Sequence, residues 1–367
     1  MFIKDIPANI LFLILFYGGV AMVSLIACIL LCFRKGNAFN ADITPPVRLR
    51  RWAVAFFALS FFGYLWWILF YIYSGDVQSM SYIMLYLYDC LTMLIIIPCM
   101  LLAMLQDRKR RVLPIILATI PIAVLGTLNT VYPGGLFQII EYVYFSLLYI
   151  IFIIYMVFAV RQYGRWLRDN YADLENKEIW LSHVLIIVIM LLIIIYGLDD
   201  DNKIVISYIV QVIQLVLYGF LLWRIETLPQ LENLTVERPE EQPGHPIQQP
   251  MVIPFNIEQL LEEQCVNTQL YLQHDLTLHH LALTIGTNQM YLSQYFSRKG
   301  INYNAYINNL RINHFVELYR EAADAEKPIT AQQLAHDSGY RSYSTFSLAF
   351  KQRMGQSVTS WMRKTEQ

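Results

Sequence analysis

Polar side chains that interrupt long apolar stretches are the first candidates for chemistry in this chain. Asp89, Glu141, Gln211, Gln214, Asn129 and His183 each do so. A carboxylate deep in such a stretch is costly unless paired or hydrated, so it faces a bundle interior or a wet cavity. Asp89, Glu141 and Gln211 fall in the same half of their stretches, among Tyr82, Tyr86, Tyr88, Tyr142, Tyr144 and Tyr208. Two readings suit them: a ligand or ion pocket open to one side, or polar packing between helices beside a tyrosine belt. The sequence leaves both open. Covalent and metal chemistry find no foothold. No stretch carries a His-Glu-x-x-His or Gly-x-Ser-x-Gly spacing. Cys28, Cys32, Cys90, Cys99 and Cys265 show neither zinc-ligand nor Cys-x-x-Cys spacing. We expect no cofactor and no enzyme activity.

These residues must be positioned by the apolar stretches themselves. The chain of 367 residues is 56% hydrophobic and only 15% charged, against about 25% charged in soluble domains. Seven stretches are each long enough for the ~20 residues a bilayer-spanning helix needs. They run approximately Ile10–Phe33, Trp52–Tyr73, Tyr82–Leu105, Val112–Tyr132, Leu136–Val160, Ile179–Leu198 and Ile204–Trp223. Basic residues gather in alternate connections. Arg34, Lys35, Arg48, Arg50 and Arg51 follow the first stretch, Arg108 to Arg111 the third, and Arg161, Arg165, Arg168 and Lys177 the fifth. The intervening connections are short and nearly bare of positive charge. Positive loops stay cytoplasmic, which puts the N-terminus outside and everything after Arg224 inside. Leu25 to Cys28 resembles a lipoprotein cleavage box, but lipidation there would put the basic loop outside, against the same rule.

Beyond residue 224 the character changes. Pro229, Pro239, Pro243, Pro246, Pro250 and Pro254, with Glu240 and Glu241, mark 225–255 as a flexible tether between a domain at 1–224 and one at 256–367. Within the last domain one pattern occurs twice. Leu281, Ala282 and Gly286 recur as Leu334, Ala335 and Gly339, each pair 53 residues apart, and Phe296 recurs as Phe350. In each copy a short helix ends at a Gly-centred turn and a second helix follows, the outline of a helix-turn-helix. An introductory helix over about Ile257–Leu272 and a connecting helix over about Asn304–Ala322 complete the unit. Thr277, Asn288, Thr330 and Ser342 are the expected helix caps. The domain is neutral overall, with ten basic and ten acidic residues, yet the charges are segregated. Leu276–Val316 holds three basic residues and no acid, and Gly339–Lys364 holds five and no acid.

The tail resembles the AraC/XylS family of bacterial transcription regulators. The matching residues include Leu281, Ala282, Gly286, Tyr291, Leu292, Phe296, Gly300, Ile307, Leu310, Arg311, Ala335, Gly339, Tyr340, Phe346, Phe350, Gly355 and Trp361. Ser297, Val358 and Trp361 depart from the family's usual Lys, Pro and Tyr. The resemblance implies that Gln289, Met290, Ser293 and Gln294 of the first recognition helix read bases, with Tyr343, Ser344, Thr345 and Leu348 of the second. Arg298, Lys299, Arg341, Lys351 and Arg353 are the implied phosphate contacts. Double-stranded promoter DNA and RNA polymerase are the implied partners.

The fold class expected is all-α: a seven-transmembrane-helix bundle plus a small domain with two helix-turn-helix units. The expected function is a multi-pass, one-component transcription regulator of the bacterial cytoplasmic membrane, with its DNA-binding domain in the cytoplasm. The bundle is either a receptor or transporter-like unit for a small molecule or membrane signal at Asp89, Glu141 and Gln211, or an anchor with control by homodimerisation or linker proteolysis.

Overall fold

The computed structural model describes residues 7–34, 44–73, 80–132, 135–175, 177–197, 203–231, 256–325 and 330–365. It is all-helical, and among the described residues the only β pairing is one isolated bridge. The chain divides into two compact units, 1–161 with 179–233, and 162–178 with 234–367. The connections expected at Ser74–Ser81, Pro133–Gly135 and Asp199–Lys203 lie largely outside the described residues, as does 232–255 of the tether.

All seven apolar stretches are helices: α1 Ala8–Phe33, α2 Val47–Tyr73, α3 Met80–Met104, α4 Leu113–Val131, α5 Leu136–Asn170, α6 Trp180–Gly197 and α7 Lys203–Thr227. All lie in the first unit except the end of α5, whose residues 162–170 belong to the second. Five described helices are long and apolar enough to cross a membrane, on α1, α2, α3, α5 and α7. The described apolar part of α4, Leu113–Asn129, is shorter. The surfaces of these helices are strongly apolar. Phe33, Phe158 and Phe12 are exposed by 81%, 65% and 64%. Soluble monomers rarely leave such residues contiguous on a surface.

Helices α1 and α2 pair antiparallel, because contacts at Tyr17, Ser24 and Cys28 meet Tyr71, Phe57 and Val54 in reverse order. Ser24 Oγ donates to the Phe57 carbonyl at 2.7 Å. The basic connections are built into the helix ends. Arg50 Nε donates to the Leu31 carbonyl at 2.6 Å, satisfying an acceptor of the last turn of α1. Arg48 donates to the Arg110 carbonyl at 2.6 Å, and Arg110 pairs with Asp107 at 2.5 Å. Arg161, Arg165 and Arg168 belong to α5, which continues past the expected end at Val160 to Asn170. After α7 the chain is held: Gln106 Nε2 donates to the Pro229 carbonyl at 3.0 Å and its Oε1 accepts from Leu231 N at 2.9 Å. The first residues of the expected tether over 225–255 are therefore held by Gln106 as far as Leu231.

In the second unit the introductory helix is broken. Helix α8, Ile257–Leu261, runs into a π turn at Glu262–Val266, and a 3-10 turn follows at Leu270–Leu272. Gln269 stands between them at φ 56°, a conformation no helix can contain. The remaining helices are α9 Leu278–Thr284, α10 Gln289–Arg298, α11 Tyr303–Asp324, α12 Ala331–Asp337, α13 Tyr343–Met354 and α14 Val358–Thr365. All four expected caps are made, by Thr277 to His280 N, Asn288 to Tyr291 N, Thr330 to Gln333 N and Ser342 to Thr345 N. A fifth comes from Asn302 to Ala305 N at 2.8 Å. Each such cap satisfies a donor that would otherwise be orphaned, worth about 1 kcal/mol.

Two hydrophobic cores form on either side of the connecting helix α11. One gathers Leu276, Leu278, Leu281, Ala282, Leu292, Phe296 and Ile307, and the other Phe315, Leu334, Ala335, Tyr340, Phe346, Phe350 and Trp361. Val358 and Trp361, two of the family departures, are buried in the second core, where Trp361 packs 5.2 Å from Tyr319 and 5.6 Å from Phe350. Ser297, the third, is exposed.

Candidate nucleic-acid interface

The two turns are built alike, and for the same reason. After α9, Gly286 takes φ 73° and Thr287 N donates to the Ala282 carbonyl at 2.9 Å. After α12, Gly339 takes φ 88° and Tyr340 N donates to the Ala335 carbonyl at 3.2 Å. In both, the left-handed glycine lets the chain turn back over its own helix and closes the open carbonyls. At Gly339 a second constraint operates, since a Cβ there would stand 2.7 Å from the Leu272 carbonyl oxygen.

Each turn launches a recognition helix with its apolar face inward. Leu292 and Phe296 bury the inner face of α10, and Phe346 and Phe350 that of α13. What remains outside is the implied readout set. Met290, Ser293 and Gln294 are exposed on α10, with Gln289 half-buried; Tyr343, Ser344 and Leu348 are exposed on α13, with Thr345 half-buried. Exposed apolar groups such as Met290 at 48% and Leu348 at 61% can meet a thymine methyl.

The five implied phosphate contacts do not stand alike. Arg298 and Lys351 are exposed. Lys299 Nζ pairs with Glu258 at 3.1 Å. Arg341 pairs with Asp275 at 2.5 Å. Arg353 donates to the Asn309 carbonyl and, at 2.6 Å, to Asn313 Oδ1, tying α13 to α11.

The two recognition units are fastened by a residue whose neighbours the sequence pattern did not reveal. Arg311 is 1% exposed, and its guanidinium donates to the Tyr271 carbonyl at 2.7 Å and the Gln273 carbonyl at 2.8 Å. It also lies over the Tyr340 ring, 5.4 Å from its centroid. Burial lowers its pKa, yet the charge is satisfied by carbonyls and a ring face. Tyr340 in turn donates to Asn308 Oδ1 at 2.9 Å.

A second group was missed because it lies far away in sequence. The segment 162–178 belongs to this unit. Ala172 N donates to the Leu276 carbonyl at 3.2 Å, and Tyr171 bridges Thr277. Asn304 Nδ2 donates to the Ala172 carbonyl at 2.7 Å. Two implied base-reading residues bond to this segment: Gln289 to Asn170 and Thr345 to Glu175.

The three residues proposed for a bundle pocket have separate surroundings. Trp67 donates to Asp89 at 2.6 Å, and Asn129 to Glu141 at 3.2 Å. Gln211 is buried on α7, its Oε1 without a hydrogen-bond partner among the described residues. Asp89 lines a cavity of about 20 Å³ with Phe56, Ser60 and Thr92, room for about one water. Among the described residues no group of three or more His, Cys, Asp or Glu is placed to hold a metal ion.

Comparison with known proteins agrees with the geometry of the second unit. No curated protein and no solved structure matches the chain. The model of a helix-turn-helix domain family matches residues 281–364, a range that begins in α9 and ends in α14 and so takes in both turns. The match supports an AraC-type DNA-binding regulatory domain at this end of the chain, with DNA as its partner.

Proposed function

We propose that this protein is a membrane-integrated one-component transcription regulator that reads duplex DNA with both recognition helices. The observation carrying the DNA reading is the doubled cap, turn and helix, each with its apolar face in a core and its hydrogen-bonding face outside. The membrane reading rests on the apolar exterior of α1–α7 and on the alternation of basic connections. In this reading seven helices span the bacterial cytoplasmic membrane with the N-terminus outside, and residues 256–367 face the cytoplasm. The protein acts by binding, with promoter DNA, the bilayer and RNA polymerase as its partners. For Asp89 and Glu141, their hydrogen bonds to Trp67 and Asn129 on neighbouring helices favour polar packing between helices over a ligand pocket. The test is selection of duplexes from a random pool by the full-length protein in detergent micelles. Enrichment of one sequence class, with affinity falling steeply as salt rises, is the expected result; no enrichment at low salt rejects the reading.

A further inference from the structure

We propose that Asn170–Glu175 is an internal occupant of the DNA-reading surface, docked across both recognition helices and displaced when duplex DNA binds. The inference rests on the DNA-binding reading above and adds a regulatory device to it.

The segment has a defined seat. Its backbone pairs with Leu276 and Thr277 just ahead of α9, and Asn304 of α11 donates to the carbonyls of Tyr171 at 3.3 Å and Ala172 at 2.7 Å. Ala172 is buried within the same core as Leu276 and Leu281. From that seat its side chains reach one base-reading residue on each recognition helix. Asn170 Oδ1 accepts from Gln289 Nε2 at 2.7 Å, and Glu175 Oε2 accepts from Thr345 Oγ1 at 3.3 Å. Lys177 is held at the edge by Asp275 at 3.4 Å, the same carboxylate that occupies Arg341.

Charge makes docking and DNA exclusive rather than additive. Between Leu276 and Val316, and again from Gly339 to Lys364, the domain carries no acid of its own. The segment brings two. Asp173 interacts electrostatically with buried Arg311, and Glu175 accepts from the Thr345 hydroxyl in the first turn of α13, the positive end of that helix's dipole, which favours an anion. A DNA phosphate would be favoured at the same helix start. A carboxylate held there takes that position and repels the backbone of any duplex that approaches. The segment also lies outside residues 281–364, so it is an addition to the matched domain rather than part of it.

The test uses the full-length protein in micelles and a duplex it has selected from a random pool. The double variant Asn170→Ala with Glu175→Ala is expected to bind that duplex about tenfold more tightly, as follows if about nine molecules in ten are docked. Glu175→Gln, which keeps the side chain's shape and removes its charge, is expected to give a smaller gain. In the wild type, amide exchange at Ala172 is expected to be slow without DNA and to accelerate at saturating DNA. Equal or weaker binding by variants of unchanged thermal stability overturns the proposal, as does exchange at Ala172 that slows on adding DNA. If the double variant does not fold, the wild-type exchange experiment decides alone. If neither chain selects a duplex, the DNA reading fails and the docking proposal with it.

Discussion

The guanidinium of Arg311 lies over the ring of Tyr340, 5.4 Å from its centroid, and so joins the connecting helix to the second turn. The same group spends two of its donors on the carbonyls of Tyr271 and Gln273. One buried cation thus fixes the 3-10 turn, α11 and the second recognition unit in register.

Replacing Arg311 by Leu is expected to destabilise the second unit by about 2–4 kcal/mol, since two buried acceptors lose their partner. Urea-induced unfolding of the full-length protein in micelles, followed by proteolysis of the C-terminal unit, measures it. A change below about 0.5 kcal/mol, the range of an ordinary surface substitution, would remove Arg311 from this role.

The two turn glycines are predicted to differ. Gly286→Ala meets open space and carries only the left-handed backbone cost of about 1–2 kcal/mol. Gly339→Ala carries that cost and also drives a Cβ to 2.7 Å from the Leu272 carbonyl oxygen, so the loss is larger. Equal midpoints for the two variants in the same unfolding experiment would contradict the close approach.

Arg298→Ala and Lys351→Ala are expected to weaken every bound duplex alike, and each to reduce the slope of log K against log salt by about 0.9. Gln294→Ala, by contrast, should relax preference at one base pair by about 1–3 kcal/mol and leave the salt slope unchanged. Arg353→Ala should cost stability as well as affinity, because its side chain bonds Asn309 and Asn313. Titrations at several salt concentrations separate the three classes.

Burial pushes the Cys265 thiol up to about 12 from an ordinary 9.0. The folded thiol therefore keeps its proton where the unfolded one loses it, and this group's contribution to stability, full below about pH 9, declines as pH rises from there towards 12. At pH 8, maleimide labelling of Cys265 should be slow in the native protein and fast in denaturant. Rapid native labelling at this position would mean that the first core is open.

Much of the doubled helix-turn-helix was legible in the sequence because its determinants are local. A capping side chain lies three residues from the amide it accepts, as Asn288 does from Tyr291, and a left-handed glycine directly ends its own helix. The repeat of Leu, Ala and Gly at 53 residues therefore announced two turns and two recognition helices with their boundaries. Apolar length announced α1–α7 in the same way. The break at Gln269 escaped, although a continuous helix would have put Leu270 on the face opposite Leu261, nine residues at about 100° each.

Tertiary structure alone decided what lies against α10 and α13. Asn170 and Gln289 are 119 positions apart, and Glu175 and Thr345 are 170 apart. No periodicity links residues at such distances. Their pairing depends on the shape of the seat beside Leu276 and on the direction in which two helices aim their side chains. The closeness of Gly339 to Leu272, and the carbonyls around Arg311, have the same origin. Sequence determined the elements and their faces through interactions within a few residues; packing chose which faces are occupied, because complementarity between distant segments exists only once the chain has folded.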